Sequence, residues 1–227
     1  MIALAEVADA IIRSGLAWRG ALHLTGDERF IPSGRETRTL VLLGFAGADG
    51  WRAFEQSVEA SDGGAHPLDR WSRRIIENLA RDCGAEAVFP FGGPPYHPFQ
   101  RWAMCAEPVH ASPLGLLIHP DFGLWHSYRG ALAFPEEIAI PAVEPRSSPC
   151  ETCAERPCLS ACPVGAFAPG RYDVPACAGH LREPRGGDCM DGGCLARRAC
   201  PISAEHRYGP AQARFHMQAF LAGLGAA

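Results

Sequence analysis

The chain contains no lysine: all 21 basic residues among its 227 are arginine. Chemistry that needs an amine side chain is thereby excluded, including Schiff-base catalysis, pyridoxal attachment and the phosphate-binding lysine of a P-loop. Long apolar runs are missing too. The longest, around Leu40–Ala46, falls far short of the roughly 20 residues that cross a bilayer, so no membrane partner is expected. There is no basic leader followed by an apolar stretch, because Glu6 and Asp9 are acidic where a secretory signal would be basic. A cytoplasmic location is expected. Positive charge is not in excess either: the net charge is −4 and the pI near 6.1, which argues against non-specific nucleic-acid binding. With 47% apolar residues the chain can build a core without disulfides. Its ten cysteines are too few for a disulfide scaffold and too many for an ordinary cytosolic enzyme.

The predicted architecture is α+β, with an N-terminal α/β sandwich-type domain over 1–135, a linker over 136–148 and a small cysteine-rich module over 149–227. In the first part Leu4, Val7, Ile11 and Ile12 fall at helical spacing before Gly15. Thr39–Leu43 reads as a buried strand, and Trp51–Val58 as a helix. A longer helix runs from His66-Pro67 to Gly84, with proline in its first turn and glycine at its stop. Ala87–Phe89 reads as a short strand before the Phe91-Gly-Gly-Pro-Pro95 turn. Leu114–Ile118 and Leu124–Phe134 read as two strands joined across His119–Gly123. The linker carries two prolines and no helical period. Pro210–Leu224 reads as an amphipathic helix with Phe215, Met217, Phe220 and Leu221 on its apolar side.

Eight cysteines lie between Cys150 and Cys200, and in the cytosol clustered cysteines more often bind metal than pair. The first group, Cys150, Cys153, Cys158 and Cys162-Pro163, has the pattern C-x2-C-x4-C-x3-C-P. Bacterial ferredoxins use C-x2-C-x2-C-x3-C-P, whose fourth cysteine serves the other cluster. A cubane has iron at four corners; three thiolates from one loop cap three, and the fourth must be met from elsewhere. The second group is Cys177, Cys189, Cys194 and Cys200-Pro201, again ending in Cys-Pro. The simplest assignment gives Cys150, Cys153, Cys158 and Cys200 to one [4Fe–4S] cluster, and Cys162, Cys177, Cys189 and Cys194 to a second. Zinc would use the same ligands, although zinc ribbons space their cysteine pairs about 15–20 residues apart. Disulfides and buried free thiols are the remaining alternatives. Cys83 and Cys105 lack such a context and are expected to be small buried side chains.

This order of cysteines resembles the ferredoxin module of epoxyqueuosine reductases and, more distantly, of corrinoid reductive dehalogenases. Two upstream stretches are also similar to that family: His66-Pro-Leu-Asp-Arg-Trp71, and Leu114–Gly130 with its His119-Pro-Asp-Phe-Gly-Leu-Trp125 turn. The resemblance implies an iron–sulfur oxidoreductase whose two clusters pass single electrons to an acceptor at the N-terminal domain. It further implies a cobalamin there, a flavodoxin or ferredoxin as donor, and a tRNA substrate. In the family a carboxylate in a Val-Asp-x-x-Pro context donates a proton. The matching stretch here, Phe89–His97, has no acid, which leaves Tyr96, His97, His126 and Tyr128 as candidates, with His119 as a further loop histidine. Two other classes stand beside this reading: a non-catalytic electron-transfer adaptor and a zinc-stabilised binding module.

Overall fold

The computed structural model describes residues 3–26 and 34–224. It divides into two compact units, one formed by 1–108 with 126–145 and the other by 109–125 with 146–227.

The first unit opens with α1 (Leu4–Arg13), which buries Val7 and Ile11 and leaves Ile12 exposed. It is followed by β1 (Ala17–His23), β2 (Thr39–Ala46), α2 (Asp49–Glu55), α3 (Val58–Ser61), α4 (Pro67–Cys83), β3 (Glu86–Val88) and α5 (Phe99–Ala106). Two short strands, β4 (His110–Ala111) and β5 (Leu117–Ile118), then belong to the second unit, before the chain returns as β6 (His126–Phe134). The sheet order is β1-β2-β6-β3, and every neighbouring pair is antiparallel. β2 is flanked on both edges, so its apolar run from Leu40 to Phe45 is buried throughout, as expected for a strand covered on both faces. Gly20 interrupts β1 at a bulge. Its φ is +83°, and a Cβ there would lie 2.2 Å from the Ala106 carbonyl oxygen, so only glycine lets α5 come this close.

α4 packs on β6 and β3. It is built as its sequence suggests: Pro67 in the first turn, Gly84 left-handed at the C-terminus, and Leu68, Trp71, Ile76 and Leu79 on the buried face. Arg129 ties β6 to the helix through Asp69 at 2.5 Å and Ser72 at 2.9 Å. The helix expected over Trp51–Val58 breaks after Glu55 and resumes at Val58 as α3. β1 has no counterpart in the sequence expectations.

In the second unit β5 pairs with β4 while β6 pairs with β2 and β3, so the two strands expected across His119–Gly123 are not a hairpin. Their apolar residues instead serve different cores. Leu114, Ile118 and Leu124, counted by sequence within domain 1–135, share one core with Cys158, Ala196 and Cys200. The unit continues with α6 (Pro157–Ser160), a hairpin of β7 (Phe167–Ala168) and β8 (Arg171–Tyr172), α7 (Val174–Arg182), α8 (Gly187–Gly192), α9 (Leu195–Arg198) and α10 (Pro210–Leu224). α10 packs on α8. It buries Gln212 and Ala213, whereas Phe215, Met217, Phe220 and Leu221 are only half-buried. Among the described residues no helix is long and apolar enough to cross a membrane.

Candidate metal centre

Two short helices organise the cysteines. α6 begins at Pro157 and α9 directly after Cys194. Each ends two residues before a Cys-Pro pair, Cys162-Pro163 and Cys200-Pro201. Proline forbids the residue before it from continuing the helix, so both cysteines leave their helices in an extended turn. The two helices pack together, and this brings the end of each cysteine group beside the start of the other. Gly123 supports the arrangement: at φ +55° it lies against the Ile202 carbonyl, where a Cβ would come within 2.4 Å.

Cys158, Cys189 and Cys200 are buried, and Cys150, Cys153, Cys162, Cys177 and Cys194 half-buried. Burial pushes the thiol pKa of Cys150 up, and the neighbouring Cys200, Cys158 and Cys153 push it further. Cys158 is raised in the same way, by burial and then by Cys200 and Cys153. For Cys200 the cause after burial is again Cys153 among the thiols. In the other set, burial raises Cys189 with Cys162 adding to it, and raises Cys194 with Cys189 and Cys177 adding. Every one of these thiol–thiol influences therefore joins members of the same predicted set, although the sets interleave along the chain. Cys162, Cys177, Cys189 and Cys194 also line one cavity, closed by apolar side chains such as Phe167, Leu181, Leu195 and Met217. Four thiols, one buried and three half-buried, in an apolar wall fit a group that replaces their protons with metal charge. Among the described residues no group of three or more His, Cys, Asp or Glu side chains is arranged to hold a metal ion.

The second set is supplied with hydrogen-bond donors. The Ala166 N–H donates to Cys162 Sγ at 3.3 Å. Neighbouring backbone N–H groups, of Leu195 for Cys189 and of Arg197 with Ala196 for Cys194, partly oppose the rise of those thiols. Burial, followed by the neighbouring Cys177, holds the Tyr172 phenol far above its ordinary pKa. Tyr172 stacks on Phe167, with centroids 4.6 Å apart and planes 6° from parallel. His180 lines the same cavity, is 7% exposed, and its Nδ1 has no hydrogen-bond partner within the protein. Sequence reading passed over both residues. His180 stands three positions after Cys177 on α7, a spacing that places them on one helix face.

The expected proton donors separate into two places in the first unit. His126 and Tyr128 join a buried network: Arg19 donates to His126 Nδ1 at 3.1 Å and to Glu107 at 2.6 Å, and the Tyr128 hydroxyl donates to Glu107. Burial, then Glu107, holds the Tyr128 phenol well above its ordinary pKa. Arg19 and Glu107 were not signalled by sequence. Elsewhere, His97 packs on Phe99 and Trp102 and burial lowers its pKa, while Tyr96 is 68% exposed. In the second unit His119 Nδ1 accepts the Asp121 N–H at 2.9 Å and so shapes its own turn. Of the two cysteines expected to be buried, Cys83 is half-buried and Cys105 is exposed.

The chain matches no protein-family model, and no curated protein matches it by sequence. Solved structures do resemble it. A selenomethionine-labelled epoxyqueuosine reductase superposes with a TM-score of 0.53 at 12% identity, over 92% of this chain and 68% of the other. Epoxyqueuosine reductase from Streptococcus thermophilus gives 0.51 at 12% identity, over 88% of this chain and 65% of the other. The chain thus spans about two thirds of the length of these structures, and its fold is similar to that of epoxyqueuosine reductases.

Proposed function

We propose that the protein is an iron–sulfur oxidoreductase of epoxyqueuosine-reductase type that relays single electrons to an acceptor. Cys150, Cys153, Cys158 and Cys200 would hold one [4Fe–4S] cluster, and Cys162, Cys177, Cys189 and Cys194 the other. The observation that supports this reading is that Cys162, Cys177, Cys189 and Cys194, interleaved with the others along the chain, line one cavity. Each cluster, when bound, takes up and releases one electron at a potential set by its hydrogen bonds and burial. The protein's own contribution is an apolar wall that excludes water, with backbone N–H groups that stabilise negative charge on the sulfurs. In the first unit His126 is the favoured proton donor, because Arg19 donates to its Nδ1 and fixes its orientation, whereas the Tyr128 proton is committed to Glu107.

Anaerobic purification followed by iron, acid-labile sulfide and zinc analysis tests the reading. Roughly eight iron and eight sulfide per chain are expected. A colourless protein holding zinc and no sulfide would overturn it. The electron donor is proposed to be a flavodoxin or ferredoxin and the acceptor a corrinoid. The acceptor is tested by adding cob(II)alamin and following its spectrum under reducing conditions. Binding at micromolar protein is expected, and its absence leaves a protein that only transfers electrons.

A further inference from the structure

We infer that His180 is a positioning residue for the second cluster, donating a hydrogen bond from Nδ1 to one of its sulfurs and thereby raising its reduction potential. The inference rests on the dicluster reading and assigns one cluster a tuning group.

Three observations carry it. His180 is the polar side chain, besides the cysteines, among the residues lining the cavity of Cys162, Cys177, Cys189 and Cys194. It is 7% exposed, and its Nδ1 is buried without a partner. A buried polar nitrogen left unpaired costs about 1–3 kcal/mol, so such an atom on a cavity wall asks for a partner inside the cavity. Third, Cys162 Sγ already accepts the Ala166 N–H, and backbone N–H groups of Leu195, and of Arg197 with Ala196, stand beside Cys189 and Cys194. What remains for His180 is the body of the cluster. Inorganic sulfides and thiolate sulfurs only accept hydrogen bonds, so the imidazole serves with its proton on Nδ1. Reduction adds one negative charge to the cluster, and a fixed donor stabilises the reduced form more than the oxidised one. The Gly186 backbone holds the residue from behind: a Cβ at Gly186 would lie 2.1 Å from the His180 carbonyl oxygen.

The test uses the anaerobically purified holoprotein and EPR-monitored potentiometry of both clusters. In His180→Leu one cluster becomes about tenfold harder to reduce, about 59 mV for a one-electron couple, while the other is unchanged. His180→Gln, which keeps an N–H donor, recovers most of the shift. Pulsed EPR of the reduced wild type labelled with 15N-histidine shows a weak nitrogen coupling, the sign of an N–H···S contact. A His180→Leu protein with both clusters present and both potentials unmoved overturns the inference, as does a strong coupling characteristic of iron-bound nitrogen. If His180→Leu fails to assemble its cluster, the 15N measurement on the wild type decides, absence of any coupling counting against. A wild type without iron and sulfide would instead remove the dicluster reading itself, which separates the two failures.

Discussion

Arg19 is 1% exposed, a long cation enclosed in protein. Its guanidinium is divided among Glu107, the Phe45 carbonyl at 2.7 Å and His126. The Tyr128 ring lies 5.0 Å from its central carbon. A planar fork with five donors suits this division, and lysine would satisfy only part of it. Removing the cation leaves Glu107, whose side chain is 11% exposed, as an uncompensated buried carboxylate. Arg19→Met is therefore expected to cost about 3–5 kcal/mol, read as a lower denaturation midpoint in urea, while Arg19→Met with Glu107→Gln recovers part of the loss. Unchanged stability in the single variant would mean that the network is wetter than its burial indicates.

At the scale of elements, the paired helices α6 and α9 make a sharper statement than the cysteines taken singly. Because Cys200 neighbours Cys150, Cys200→Ser should disturb the EPR signal of the cluster proposed for Cys150, Cys153 and Cys158. A change confined to the other cluster would break the crossed assignment. The expectation of a crossing was read from the sequence, since Cys-Pro closes both groups and proline's effect on the preceding residue is local. α4 was legible for the same reason, with Pro67 and Gly84 marking its ends. β1 was not, because Ala17-Trp-Arg-Gly-Ala-Leu-His23 puts an arginine and a glycine inside a strand. Arg19 is accepted there only because β2, α5 and β6 provide partners distant in sequence. His180 carried a usable signal in its spacing from Cys177. Its significance came from a buried nitrogen without a partner, which spacing cannot reveal.

For the molecule as a whole, the chain passes between the two units three times, after Pro108, Trp125 and Pro145. No pattern in Leu114–Ile118 announces which core it will join, since an apolar run states that burial is needed and not where. Metal binding is folding free energy for the residues that hold it, so on the proposed iron–sulfur reading loss of iron should be felt unit by unit. When iron is stripped with ferricyanide and EDTA, hydrogen-exchange protection is expected to fall in 109–125 together with 146–224. Protection in β2 and β6 should persist. Retained protection in 109–125 would show that this segment does not depend on the cysteine module.

The position of β6 has a consequence for biosynthesis. β6 is the partner of both β2 and β3, yet the ribosome delivers it after both of them and after the excursion through 109–125. Until Phe134 emerges, the apolar strand Leu40–Phe45 has one edge with nothing to pair with, the kind of edge that recruits other nascent chains. At 5–20 residues per second the excursion alone adds roughly one to three seconds to that exposure. That exposure ends when β6 closes the sheet.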